Sequence, residues 1–170
     1  MHRTQNSTGT AADADNGTVV TPADILRGAA RYLELHGWTQ GDYYARTGEP
    51  FPPADMTGAI AVATFGYITE CPFYEPAPIV RDYWQAVEAI ALYLDGVGLL
   101  DPASDQGSPY RWNDEPARTA EQVVTVLRAA ADDYDWTHAT EDDLETYAEH
   151  CVWAETEPTR EGFLAWRAAR

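Results

Sequence analysis

The sequence predicts an all-α fold: an irregular bundle of about six helices with long loops and a disordered N-terminal tail. Three observations predict it. Apolar residues recur at three- and four-residue spacing in segment after segment. Residues suited to cap helices head several of those segments, at Thr21, Thr119, Thr140 and Thr159. No convincing β-hairpin and no internal repeat is visible, which leaves a helix-on-helix architecture. At 170 residues the chain suits one domain plus a tail, and a folded part of roughly 150 residues buries about two-thirds of its unfolded surface without staples.

Taken in order, residues 1–20 are small, polar and aperiodic, so they are assigned to a disordered tail, with a single helical domain over 21–170. Thr21-Pro22-Ala23-Asp24 is a complete helix start: a cap, proline at the first helical position and an acid three residues on. Ile25, Ala29, Leu33 and His36 form one line, widened by Leu26, Ala30 and Tyr32, and Gly37 is the stop. His36 on that face reads as a core or boundary histidine. Residues 38–54 are loop, punctuated by Gly41, Gly48, Pro50, Pro52 and Pro53, with Trp38 placed to fold back on the last turn. Residues 55–65 read as a short helix for the centre of the core, because Gly58, Ala59, Ala61 and Ala63 let neighbours approach closely. A buried strand is the alternative there, since periodicity does not separate the two in so short an apolar run.

An aromatic, proline-rich connection over 67–78 precedes a strong helix at 79–94, with Val80, Tyr83, Trp84, Val87, Ile90, Ala91 and Leu94 on or beside one stripe. A turn-rich loop over 97–109 leads to Trp112-Asn113-Asp114, read as loop, and then to Arg118-Thr119. Thr119 caps a helix over 120–131, with Gln122 at the capping-box position and Val123, Val124, Leu127, Ala130 and Ala131 as the stripe. The acids after that helix form a run with no arginine among them. Thr140 caps a helix to about 155, with Leu144, Tyr147, Ala148 and Cys151 inward, and Thr159 caps a last short helix through Phe163, Leu164 and Trp166. The part over 132–170 is an acidic helical extension.

Charge narrows the function classes. There are 28 acids against 11 bases, a net charge of −17, and every base is arginine. Clustered cations are needed to hold phosphates, so direct nucleic-acid binding and anionic-membrane binding are not expected. The longest apolar runs are too short to span a bilayer. The first twenty residues are polar and include acids, unlike a secretory leader, so the expected location is cytoplasmic. Two cysteines, Cys71 and Cys151, suit neither a disulfide framework nor a paired-cysteine metal site. Phosphate-cradling glycine patterns, the Gly-x-Ser-x-Gly elbow and the zinc-helix His-Glu-x-x-His pattern are absent. Asp133-Tyr134-Asp135 mimics part of a calcium loop, but the glycine and terminal glutamate are misplaced. No catalytic residue, no metal site and no cofactor is predicted.

Two surfaces remain. The first is a polar pocket floored by Trp112 and Trp38, with Asn113 in its loop and Asp114 and Arg118 binding a small ligand or peptide. The structural reading, in which Trp112 plugs the core, Asn113 or Asp114 closes a turn and Arg118 pairs with Asp114, is preferred. The second is the acidic run, with Asp132, Asp133, Asp135, Asp142, Asp143 and Glu145 as partner-surface candidates. It reads first as a solvated face, and otherwise as a docking surface for a basic protein partner or a DNA mimic.

Three pieces together carry a resemblance: Leu26-x-x-Ala29-Ala30 ending in Gly37-Trp38, then Gly58-Ala59-Ile60, then Trp112-Asn113-Asp114 followed by Arg118-Thr119-x-x-x-Val123. Over about residues 22–131 the chain resembles an actinobacterial and actinophage domain-of-unknown-function family, number 6197. The family has no assigned activity, so the resemblance implies fold and lineage without mechanism. Many members carry a cysteine three residues before the Gly-Ala pair, where this chain has Asp55. The function expected from these observations is a small acidic accessory or regulatory protein that binds another macromolecule without catalysis. The alternative is an enzyme or small-ligand binder with a pocket near Trp38, Asp114 and Arg118.

Overall fold

The computed structural model describes residues 20–100 and 108–170. The tail expected over 1–20 therefore lies, but for Val20, outside the described residues, as does most of the loop expected over 97–109. Seven α-helices and one turn of 3-10 helix make up the described chain: α1 (Pro22–His36), α2 (Met56–Phe65), the 3-10 turn (Pro72–Tyr74), α3 (Ile79–Gly96), α4 (Pro109–Asn113), α5 (Ala120–Thr137), α6 (Glu141–Ala154) and α7 (Arg160–Ala168). The helix unforeseen in the sequence is α4. Its start is set by the Ser108 hydroxyl, which accepts from the Arg111 amide, and by proline in the first turn.

Local chemistry sets most helix starts. In α1, α5 and α6 a threonine hydroxyl accepts from the third helical amide, and that third residue's side chain accepts from the threonine amide. These reciprocal bonds satisfy donors that would otherwise face nothing. At α2 the cap is Asp55, whose carboxylate accepts from the Gly58 amide.

The main core is built from α1, α2, α3 and α5, with α1 lying against both α5 and α2. As expected, the residues at 55–65 form the central helix: every residue from Met56 to Val62 is buried. Gly28 of α1 faces Ala63 of α2 so closely that a β-carbon there would stand 3.2 Å from the alanine methyl. Buried leucine, isoleucine and aromatic side chains around this contact, Leu26, Ile60, Tyr83, Ile90, Trp112 and Leu127 among them, supply the apolar area that drives folding.

A second, smaller cluster holds Tyr147, Cys151 and Phe163, where α6 packs on α7 and α7 rests on α5. Two expectations are corrected here. Leu144 and Ala148 are exposed, because a helix with one short neighbour needs only the narrow Tyr147–Cys151 line to bury. Helix α5 does not stop at 131 but runs on to Thr137, so Asp132, Asp133 and Asp135 are helical residues on the side of the bundle.

Among the described residues there is no strand; two isolated bridges instead tie the 37–45 loop to Ala54. Thr39 donates to the Ala54 carbonyl (2.9 Å), Ala45 to Pro53 (2.8 Å) and Asp55 to Tyr43 (3.0 Å). Among the described residues no helix is long and apolar enough to cross a membrane.

Candidate functional site

The Trp38, Trp112, Asn113, Asp114 and Arg118 side chains do come together, where α4 meets the 37–45 loop and the start of α2. The Asn113 amide oxygen accepts from the Trp38 indole nitrogen (2.8 Å) and from the Met56 backbone amide (3.2 Å). Its amide nitrogen donates to Asp114 Oδ1 (2.8 Å), and that oxygen also accepts from the Gly41 amide (3.0 Å). Gln40, which the sequence did not single out, donates to the carbonyls of Asn113 (2.8 Å) and Glu115 (2.9 Å). Asn113 itself has no exposed surface. A buried side-chain amide bound on both ends is a strong constraint, since losing either partner leaves a polar group without water or bond.

Arg118 is placed differently from expectation. Its guanidinium lies 3.7 Å over the Trp112 ring, its Nε donates to the Trp112 carbonyl (3.0 Å), and its terminal nitrogen pairs with Glu115. The expected Arg118–Asp114 pair is therefore absent. Asp114 is occupied by Gly41 and Asn113, and Glu115 stands one turn before Arg118. Trp112 is 2 % exposed, under the bundle as the structural reading placed it, and its indole nitrogen has no hydrogen-bond partner among the described residues.

Beside this network lies a centre the sequence reading missed. Asp55 is 6 % exposed. Its carboxylate accepts from the Gly58 amide (2.5 Å) and the Thr57 hydroxyl (3.0 Å). Burial nevertheless pushes the carboxyl up to about 7, with the nearby Asp114 charge pushing the same way. The phenols of Tyr43, Tyr83 and Tyr110 gather near it. The Tyr83 and Tyr110 hydroxyls are 3.3 Å apart, and burial drives Tyr43 up to about 12. Tyr83 and Tyr110 are also raised by burial. A β-carbon at position 58 would collide with the Tyr43 carbonyl oxygen, so the glycine is what lets the loop lie on the start of α2. The legible sign in the sequence was the Asp55-x-x-Gly58 spacing of a capped helix start. Nothing local showed that three distant tyrosines would converge on it.

The acidic candidates divide. Asp132 pairs with Arg27 (2.7 Å), Asp133 with Arg160 (2.9 Å) and Asp143 with Arg167 (3.5 Å). Asp135 is shared by Arg27 (2.7 Å) and Arg167 (3.4 Å). The expectation that Asp135 faces solvent is corrected: it is 4 % exposed, and a carboxylate that deep requires the two cations. The run thus lacks arginines in sequence and receives them in space, from α1 and α7. Asp142 and Glu145 on α6 are exposed, and among the described residues no ion pair reaches them. His36 is half-buried between Tyr32 and Phe51, with ring centroids at 4.6 and 5.7 Å. Cys71 and Cys151 are both free thiols.

Three comparisons bear on identity. No curated protein and no solved structure matches the chain. A family model does match, over residues 17–133, a span that takes in α1 to α4, most of α5 and the whole network around Asn113 and Asp55. The chain belongs to this family, the family of unknown function DUF6197.

Proposed function

We propose that the protein is a non-enzymatic accessory or regulatory protein that acts by binding another macromolecule. One contrast carries this reading. The side-chain polar groups of Asn113, Asp114 and Arg118 are used on one another, on Trp38 and Glu115 and on nearby backbone, whereas large apolar side chains stand in solvent on the extension. Val152 is 78 % exposed and Trp153 88 % exposed. Scattered surface leucines need no explanation, but an indole left almost wholly in water is unusual, and tryptophan is enriched where proteins meet. The test is capture of a stoichiometric companion from the native host by the full chain, repeated with Trp153→Ser. Recovery of one companion with the parent and its loss with the variant supports the reading. No companion, together with turnover of a small molecule, would overturn it.

A second reading rests on Asp55. A carboxyl that ionises near neutral pH beside three phenols is the kind of group that moves protons in enzymes, where burial sets such values. It supports an enzyme or small-ligand binder centred one step from the expected pocket. A ligand at Asp114 or Arg118 itself would first have to break the bonds to Gly41 and Glu115. Ligand-induced thermal stabilisation that survives Trp153→Ser and is lost in Asp55→Asn would favour this second reading.

A further inference from the structure

Resting on the binding reading above, we infer that the outward face of α6 is the docking surface, and that its partner is a short basic segment of another protein with an apolar anchor residue. The face follows from helix geometry. At 3.6 residues per turn, Asp142, Glu145, Glu149, Val152 and Trp153 fall within about 100° of arc, along about 16 Å of helix. All five are exposed, and the opposite side, with Tyr147 and Cys151, is the side that packs on α7. The face is thus a carboxylate stripe ending in an apolar patch.

Charge complementarity selects the occupant. Of the three arginines of the extension, Arg160 pairs with Asp133, Arg167 pairs with Asp135 and Asp143, and Arg170 lies over the Trp166 ring at 4.6 Å. Among the described residues no cation pairs with Asp142, Glu145 or Glu149. A second copy of this chain would bring an equal negative face to the contact at a net charge of −17, and anionic lipid would be repelled in the same way. A lysine- or arginine-bearing segment meets the stripe, while its apolar residue covers Trp153 and Val152. The face spans three turns of one helix, a size that suits a peptide-like segment more than a globular domain.

The ion pairs behind this face explain why it is presented firmly. Asp135, shared by Arg27 of α1 and Arg167 of α7, ties the extension to the main bundle, and Asp143 at the head of α6 is tied to Arg167. The acids that anchor the extension and the acids offered to a partner are different residues. That separation is the refinement over the whole acidic run: Asp132, Asp133, Asp135 and Asp143 hold the fold, whereas Asp142, Glu145 and Glu149 remain for contact.

The experiment uses the full chain and a fluorescent eighteen-residue amphipathic peptide with lysines on one face and leucines on the other, followed by anisotropy. Binding should weaken about tenfold or more in Trp153→Ala, as expected for a central tryptophan. The triple variant Asp142→Asn, Glu145→Gln, Glu149→Gln should lower the on-rate and flatten its salt dependence. Removing acids elsewhere, in Asp95→Asn with Glu121→Gln, should change little. Equal weakening by that control would reduce the effect to net charge and overturn the assignment, and so would an absence of binding. Binding to neutral lipid vesicles through Trp153, or a concentration-dependent dimer lost in Trp153→Ala, would replace the protein partner by a membrane or by a second copy. If a companion captured from the host still binds every α6 variant, the binding function stands and this surface does not.

Discussion

Replacing Asp55 by asparagine should make the fold more stable at neutral and alkaline pH and less sensitive to pH. In the folded chain the carboxyl ionises near 7, against an ordinary value of 3.8. The folded state therefore keeps its proton over a range where the unfolded chain has released it, and stability must fall as pH rises across that range. The protonated group's contribution is fully present below 3.8 and gone above about 7. Each pH unit of difference is worth about 1.4 kcal/mol, so the ionised carboxylate is on the order of 4 kcal/mol less favourable inside the protein than free. Asparagine keeps the shape and caps helices as well as aspartate, so its amide oxygen still accepts from the Gly58 amide. Urea denaturation of parent and Asp55→Asn from pH 5 to pH 8, followed by tryptophan fluorescence, isolates this group from the other carboxylates. The advantage of the variant should grow by about 2–3 kcal/mol over that range, nearly all of it below pH 7. A difference that does not change with pH would refute the burial argument. A variant less stable at every pH would show that the carboxylate gains more from its two bonds than it loses by burial.

Four further outcomes follow from the same contacts. Trp112→Ala should lose about 3–5 kcal/mol in urea denaturation, because it empties a site the size of an indole beneath Arg118; a loss well under 1 kcal/mol would contradict core placement. Asn113→Ala should lose about 2–3 kcal/mol, since it leaves the Trp38 indole and the Met56 amide without their acceptor, whereas Arg118→Lys should keep the charge and lose the stacking on Trp112. Arg167→Ala should leave Asp135 with one cation and free α7 at that end, read as faster protease cleavage near residues 155–160 with the main bundle still folded; unchanged cleavage would remove the ion pairs from the account of how the extension is held.

Much of this fold was legible because it is written in local chemistry. The capping boxes at Thr21, Thr119 and Thr140 depend on residues three apart, and the stripe of α3 depends on residues three and four apart, so a linear reading recovers both. The short helix at Pro109–Asn113 was hidden by its length: one turn has no periodicity to detect. Leu144 and Ala148 were misplaced because hydrophobicity states what a residue prefers and not whether a neighbour exists to cover it. The acidic run illustrates the same limit with charge. Arg27 lies 105 positions before Asp132 and Arg167 lies 32 positions after Asp135, so their pairing belongs to packing alone. Asp55 was visible as the start of a helix, but its raised pKa comes from burial, with the Asp114 charge acting the same way, and only the assembled core supplies both.

The central claim is that the Trp112-Asn113-Asp114 segment maintains the fold while α6 meets the partner. Amide hydrogen exchange, measured on the full chain alone and with the companion captured from its host, tests it directly. The account predicts new protection confined to Glu141–Ala154, with residues 38–58 and 109–118 unchanged because the partner does not cover them. Protection appearing over 38–58 and 109–118, with α6 unaffected, would contradict it and move the contact to the Asp55 and Asn113 network.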